Sequence, residues 1–214
     1  MLAHEPSATT EGDLTEQRVQ PIETEIEVAD SGPVRRLRFG KGGTALGIAV
    51  HATLQTIDLA TLGDIEVIAA LAAVDEGIAD RRQEVATLAR RAAESAAVRE
   101  AVASARMWHE VPVGAAQHGV IVEGVIDVLY QRLDGSLGII DYKTDQVSAL
   151  EADERMVQYR SQGGAYALAA QLATGIGVSK VEFVFASLGQ TRTIQEPELA
   201  ELVRQTEARL SLAA

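Results

Sequence analysis

The stretch that decides the fold spans residues 119–144 and reads GVIVEGVIDVLYQRLDGSLGIIDYKT. Two runs within it are rich in β-branched and other apolar residues and are separated by Asp-Gly, which predicts two β-strands joined by a tight turn, with successive side chains on opposite faces. Both faces of each run are largely apolar, as is typical of strands covered on both sides. Asp127, Asp141 and Lys143 interrupt this apolar pattern. Because buried charges are costly unless they are paired or bind a metal, these three residues mark a candidate site.

The turn between the two runs decides whether the two aspartates meet. A three-residue loop with Gly135 in the left-handed conformation sets Asp127 opposite Asp141. A two-residue Asp-Gly loop instead sets Asp127 opposite Tyr142 and points the two carboxylates to different faces. Only the first register gathers a site, and it is the register we predict. The remaining alternative is a hairpin whose charges are partly exposed.

Composition limits the classes of protein that this chain can represent. It has 214 residues, of which 47% are hydrophobic, enough for one sizeable domain. The absence of cysteine excludes disulfides, thiolate zinc sites and iron-sulfur clusters. No apolar run is long enough to span a membrane and no signal-peptide pattern is present, so we expect a cytoplasmic protein without a membrane partner. The net charge of -12 argues against a general basic surface for nucleic acid, so any such site must be locally positive.

The chain divides into an arm and a domain. Residues 1–38 are rich in Pro, Ser, Thr and Glu, which predicts a linker or disordered arm, and residues 39–214 form the predicted domain. The Gly-rich loop at residues 40–43 lacks the residue order of a P-loop, so we expect no nucleotide-binding motor. Thr44 is a predicted cap for the helix that follows it.

Hydrophobic periodicity predicts the remaining elements. Two or three helices are expected between residues 64 and 105, and Pro112 favours either an edge position for the strand that contains it or the end of that strand. The polar segment 145–153 leads into a long helix that Gly175 ends. The predicted strands are residues 108–113, 181–187 and 191–195, and a closing helix covers residues 197–210.

Two positions outside the hairpin are candidate site residues. His51 lies on the helix after Thr44, with Gly47 one turn earlier on the same side. A lone helical histidine is more often structural, but the missing side chain at Gly47 leaves space for a metal or a phosphate beside the imidazole. Glu110 is either a solvated strand residue or a secondary acidic group near the site.

The long helix carries a polar stripe. Tyr159, Gln162 and Tyr166 stand at i, i+3 and i+7 and therefore share one face. This stripe is either the polar side of a half-buried amphipathic helix or a set of donors aimed at a phosphate or a base. Arg90 and Arg91, on an earlier helix, are most simply interpreted as solvated residues, and the alternative is that they contact a DNA backbone.

The ordered motifs of the chain resemble a known family. They are Gly47-x-x-x-His51, Glu110, Gly124-Val125-Ile126-Asp127, Ile140-Asp141-Tyr142-Lys143-Thr144 and Gln162-x-x-x-Tyr166. This set resembles the nuclease domain of the RecB/AddA group within the PD-(D/E)xK superfamily, over about residues 43–185. The resemblance implies an α/β fold with a restriction-endonuclease-like core, in which helices flank a central mixed sheet.

The resemblance also implies roles for the candidate residues. His51, Asp127, Asp141 and the backbone carbonyl of Tyr142 would be metal ligands, and Lys143 would be the catalytic lysine together with Asp127 and Asp141. Residues that would bind substrate or support the site are Gln162, Tyr166, Tyr159, Glu110 and Gly47. The implied cofactor is Mg²⁺ or Mn²⁺, without the iron-sulfur cluster that some relatives hold on four cysteines.

These roles define the expected function. We expect a metal-dependent deoxyribonuclease that acts on strands delivered by a helicase domain or subunit during double-strand break processing and recombinational repair. Exonuclease activity is expected, and single-strand endonuclease activity stays open. Two alternatives stay open at this point. One is a nuclease-like module that binds DNA or a partner protein without cleavage, which the acidic charge favours, and the other is a metal-dependent RNase.

Overall fold

A mixed sheet with helices on both faces forms the fold. The computed structural model describes residues 27–29, 35–39 and 43–213, and it confirms the α/β class predicted from the sequence. The strands are β1 (Glu27–Ala29), β2 (Arg35–Phe39), β3 (Arg106–Gln117), β4 (Val120–Gln131), β5 (Leu137–Lys143), β6 (Val178–Phe185) and β7 (Gln190–Gln195). The helices are α1 (Ala45–Thr56), α2 (Ile65–Asp75), α3 (Arg82–Ala93), α4 (Ala96–Val102), α5 (Ala149–Thr174) and α6 (Glu198–Ala213).

The central strand β4 changes neighbours partway along its length. The sheet order is β1-β2-β4-β5-β6-β7, and β3 pairs with β4 over nearly all of β4. Because β3 occupies one edge of β4, β2 and β5 must share the other edge. Residues 120–124 pair with β2 in parallel, and residues 128–131 pair with β5 in antiparallel. The strands therefore fork at residues 125–127, which include Asp127.

The hairpin has the register predicted from its turn. Gly135 adopts a φ of 85°, and the Arg132 N–H donates to the Ser136 carbonyl at 2.9 Å. Val128 pairs with Ile140, so the ladder ends immediately before Asp127 and Asp141, which are next in register. The three-residue loop is thus the one that forms, and the two-residue alternative is wrong.

Two apolar cores hold helices against the sheet. One core joins the sheet to α5 and α6, and the other joins it to α1, α2, α3 and α4. Of these helices, α1 begins and α5 ends as predicted: Thr44 Oγ1 accepts from the Gly47 N–H at 3.2 Å, and left-handed Gly175 ends α5. Ser95 caps α4. The two cores cover both faces of the hairpin, as its apolar pattern predicts.

Some element boundaries differ from the predictions. The strand expected at residues 108–113 is twice as long, because β3 pairs along β4 from Arg106 to Gln117. It pairs only with β4 among the described strands, which agrees with an edge position for Pro112. Helix α5 begins within the predicted polar segment because Ser148 and Glu151 form a capping box.

Part of the predicted arm belongs to the sheet, since β1 (Glu27–Ala29) pairs with β2. Strand β2, at residues 35–39, belongs to the sheet although the arm was predicted to extend to residue 38. Most of that arm lies outside the described residues. Within the described ranges, no helix is long and apolar enough to cross a membrane.

Candidate active site

Three candidate metal ligands gather at the fork of β4. His51 comes from the middle of α1, Glu110 from β3 and Asp127 from β4. Each offers one ligand atom, and these atoms all lie within 4.8 Å of one another. The His51 Nδ1 atom lies 3.2 Å from Oδ1 of Asp127, and the Tyr142 N–H donates to Oδ2 of Asp127 at 2.7 Å. We call His51, Glu110 and Asp127 the ligand cluster.

Glu110 has an unusual backbone within β3. Its φ is 47°, in the left-handed region that residues with a side chain rarely adopt in a strand. The β3–β4 register is unchanged on both sides of it, because His109 pairs with Val128 and Val111 pairs with Ile126. The local strain at Glu110 therefore accompanies its place in the cluster, as strained residues often do at functional sites.

The charges of the ligand cluster attract a cation. Burial opposes a charge on His51, but Asp127, by charge and hydrogen bond, with Asp141 and Glu110, raises the pKa of His51 to about 9. Burial also opposes a charge on Asp127, yet His51 and the Tyr142 N–H hold the pKa of Asp127 below its usual value. The carboxylate thus stays ionised in a buried place, and a positive charge beside it is favourable.

Lys143 lies in a second, more completely bonded group. Its Nζ lies 2.8 Å from Oδ2 of Asp141 and donates to Oε1 of Gln162 at 2.8 Å. The Tyr166 hydroxyl donates to Oδ1 of Asp141 at 2.7 Å, and Gln162 Nε2 lies 3.0 Å from that hydroxyl. We call Asp141, Lys143, Gln162, Tyr166 and Tyr159 the lysine cluster.

The aromatic ring of Tyr159 lies against the ammonium group of Lys143. The Nζ of Lys143 lies 4.1 Å from the centroid of the Tyr159 ring, a cation–π distance. That ring stacks on Phe183 with centroids 5.3 Å apart, and its hydroxyl donates to Asp145 at 2.9 Å. Asp145 in turn pairs with Arg155 at 3.1 Å. The position of Lys143 is therefore fixed from three sides.

Within the lysine cluster, Asp141 is buried and interacts with the charge of Asp127 in the ligand cluster. Burial raises the pKa of Asp141 above its usual value; the charge of Lys143 counteracts part of this effect, and the charge of Asp127 adds to it. Tyr166 binds one oxygen of the Asp141 carboxylate, and Lys143 lies beside the other. Glu110, expected only at the periphery, takes the third place in the ligand cluster, and Asp141 lies outside its set of mutually close atoms.

The structure explains the glycine at position 47 differently from the sequence analysis. A Cβ atom at Gly47 would lie 2.8 Å from Oγ1 of Thr144, closer than real Cβ contacts. The missing side chain therefore lets α1 approach the end of β5. The space expected for a metal or phosphate on this side is occupied by Thr144, and Gly47 brings His51 toward the β5 motif.

Sequence reasoning placed the polar stripe of α5 on the site but missed its outer support. As their shared helix face predicts, Tyr159 and Gln162 contact Lys143. Tyr166 donates to Asp141. Asp145 and Arg155 were not singled out. Arg155 stands four residues before Tyr159, so the helical repeat that linked the stripe could have extended it to this residue.

Comparison with known proteins identifies the family. No curated protein matches the sequence. A protein from Eubacterium rectale, whose crystal structure at 2.19 Å is described as that of a "Putative exonuclease", is 14% identical, with 81% of this chain and 70% of that chain covered and a TM-score of 0.46. The family model of the PD-(D/E)XK nuclease superfamily matches residues 34–214. Because this match covers most of its length, the chain belongs to the PD-(D/E)XK nuclease superfamily.

Proposed function

We propose that this chain is a Mg²⁺- or Mn²⁺-dependent deoxyribonuclease that hydrolyses phosphodiester bonds in single strands. The observation that carries the proposal is the juxtaposition of the ligand cluster with an ammonium group held beside Asp141. Hydrolysis of a phosphodiester needs an activated water and neutralisation of negative charge, and a divalent metal next to a lysine supplies both. Membership of a nuclease superfamily supports the same reaction class.

The residues of the ligand cluster fit a divalent metal. Carboxylate oxygens of Asp127 and Glu110 suit Mg²⁺, and the imidazole of His51 makes Mn²⁺ acceptable as well. The raised pKa of His51 indicates how strongly the carboxylates favour a positive charge at this point. Asp141 and the backbone carbonyl of Tyr142 are proposed as further ligands. When bound, the metal would lower the pKa of a coordinated water and offset charge on the phosphate.

The lysine cluster would orient the reacting groups. The Lys143 ammonium can donate a hydrogen bond to the attacking water or to a phosphate oxygen while Asp141 and Gln162 hold it. Tyr166 would fix the Asp141 carboxylate, since it donates to one of its oxygens. Tyr159 would support Lys143 through its ring face. These residues would thus position the reacting groups and stabilise the developing charge.

A RecB/AddA-type role is our finer proposal. The order of the five motifs and the absence of cysteine support it. In this role the domain acts in the cytoplasm, as an exonuclease and single-strand endonuclease, on ends that a helicase domain or subunit unwinds during double-strand break processing and recombinational repair. Delivery by a helicase would also suit an acidic protein that does not capture DNA by a general basic surface.

A cleavage assay tests the proposed function directly. Labelled single-stranded DNA is incubated with the protein and Mg²⁺ or Mn²⁺, with a chelator, and with the Asp141→Ala and Lys143→Ala variants, and an RNA of the same sequence is digested in parallel. We expect metal-dependent cleavage of DNA that both substitutions abolish. Unchanged cleavage by a folded Lys143→Ala protein would overturn the mechanism, and faster cleavage of RNA would favour a metal-dependent RNase.

The net charge of -12 is the observation that favours a second function, a module that holds DNA or a partner protein without cutting. Calorimetric titration with Mn²⁺ separates the two functions. A scaffold predicts that binding of DNA or partner is the same for the wild type and for Asp127→Asn. A nuclease predicts that metal binding and activity are lost together.

A further inference from the structure

A shallow groove lies between α3 and the segment that follows β5. Its volume is about 290 Å³, near the lower end of about 300 Å³ for small-ligand pockets. On α3 three of its polar residues, Gln83, Thr87 and Arg91, follow the helical repeat at i, i+4 and i+8. The lining residues are Gln83, Glu84, Thr87, Leu88, Arg91 and Gln146.

The charge of the groove differs from that of the acidic chain around it. Glu84 is the one carboxylate in the lining, and Arg81 neutralises it through hydrogen bonds of 2.8 and 3.0 Å. Arg91 donates to the Ser187 carbonyl at 2.9 Å, and no carboxylate of the described residues lies within ion-pair distance of it. The adjacent Arg90, in contrast, pairs with Glu66. Arg91 therefore keeps its positive charge available to an anion.

Short hydrogen bonds join the groove to the lysine cluster. The Ala186 N–H donates to the Lys143 carbonyl at 2.8 Å, and the Ser187 hydroxyl donates to the Asp145 carbonyl at 2.8 Å. Arg91 binds the carbonyl of the same Ser187. Gln146 follows Lys143 by three residues, so the two Cα atoms are at most about 11 Å apart. A strand bound at the site could therefore reach the groove within a few nucleotides.

We propose that this groove binds the sugar-phosphate backbone of single-stranded nucleic acid next to the cleavage site, with Arg91 contacting one phosphate and Gln146 and Gln83 donating to neighbouring oxygens. This inference rests on the proposed function and extends it. Guanidinium and amide donors are the groups that bind phosphate oxygens. None of the described lining residues is aromatic, so the groove offers no base-stacking platform.

The salt dependence of binding tests this proposal. Affinity for a fluorescent oligo-dT is measured by anisotropy from low to moderate salt with Mg²⁺ present, in a Lys143→Met background in which cleavage is slow compared with the measurement. Each phosphate contact to a single strand contributes about 0.7 to the slope of log K against log salt. We expect Arg91→Ala to reduce the slope by about this amount and Gln146→Ala to weaken binding without changing the slope.

Two matched variants separate a phosphate contact from a structural role. Arg99→Ala removes an exposed charge on α4, outside the groove lining, and should leave the slope unchanged. Arg91→Lys keeps the charge and should retain the slope even though the bond to Ser187 is altered. A slope for Arg91→Ala equal to that for Arg99→Ala would overturn the proposal, as would an equal loss for Arg91→Lys and Arg91→Ala.

The proposal and the proposed function fail in different ways. With Lys143 intact, Arg91→Ala should raise the KM for single-stranded DNA several-fold and leave kcat near the wild-type value. Binding that follows the expected slopes in a protein that never cleaves DNA would contradict the nuclease function alone. Metal-dependent cleavage with a normal KM for Arg91→Ala would contradict the groove alone.

Discussion

The two halves of the candidate site differ in how completely their residues satisfy one another. The ligand cluster brings His51, Glu110 and Asp127 together from three separate elements and leaves carboxylates in excess. The lysine cluster contains its own cation, and its residues bond to one another within a short section of chain. The difference indicates that a further positive charge is favourable in the ligand cluster, while the lysine cluster already holds its lysine in a fixed position.

Removing the lysine should separate chemistry from metal binding most strongly. We expect Lys143→Met to reduce kcat about 10²- to 10³-fold, as loss of a charge-stabilising donor does. Its Mn²⁺ affinity should stay within a few-fold of the wild type, because Lys143 is not in the ligand cluster. Single-turnover cleavage and isothermal titration of the same preparation measure both quantities. A loss of metal affinity as large as the loss of kcat would show that the two halves are one unit.

Substitution of Asp127 should weaken metal binding by the ligand cluster. Asp127→Asn removes a buried negative charge that contacts His51 at 3.2 Å. We expect Mn²⁺ affinity to fall by at least about 10- to 100-fold, the loss seen when mere supporting residues of metal sites are removed. Titration calorimetry measures it, with the exposed Asp153→Asn as a matched carboxylate control. An unchanged affinity would remove Asp127 from the ligands.

The aromatic support of Lys143 should have an intermediate effect. A cation–π contact contributes about 0.5–2 kcal/mol, so Tyr159→Leu should lower kcat about 2- to 30-fold. Tyr159→Phe keeps the ring and loses only the bond to Asp145, so its kcat should stay closer to the wild type. Steady-state assays with thermal melting as a control for folding measure this. Equal losses for both variants would assign the effect to the hydroxyl instead of the ring.

The smallest expected effect concerns the contact that brings the two halves together. Gly47→Ala places a methyl group against Oγ1 of Thr144 and should shift α1, which carries His51. Stability should change little, because Ala gains about 1 kcal/mol over Gly in a helix and the clash opposes this gain. Mn²⁺ affinity should fall a few-fold and recover in Gly47→Ala/Thr144→Ala. A double variant no better than the single one would contradict this contact.

The lysine half could be predicted from the sequence because local rules determine it. Alternation along β5 puts Asp141 and Lys143 on one face of that strand. The helical repeat puts Gln162 and Tyr166 on one face of α5. Gly135 determines the turn and with it the register of the hairpin. These features need only neighbouring residues, so they are visible without the rest of the chain.

The ligand half could be predicted less well because long-range packing determines it. Nothing around Glu110 in the sequence signals a left-handed backbone in mid-strand, since that conformation arises where β3 lies beside the fork of β4. Gly47 was recognised as unusual, but its neighbour Thr144 lies almost a hundred residues away. Periodicity cannot report such contacts, which depend on how α1 crosses the sheet.

Glu110 is a position at which selection for abundance and selection for activity should disagree. A left-handed conformation costs a residue with a side chain of order 1–3 kcal/mol, a cost that glycine largely avoids. Glu110→Gly should therefore yield a protein that melts higher and accumulates better but binds metal more weakly. His118→Gly relieves a similar φ of 51° in an exposed turn and should stabilise without that loss. In a mutational scan, glycine at position 110 would be enriched by a folding screen and depleted by a cleavage screen.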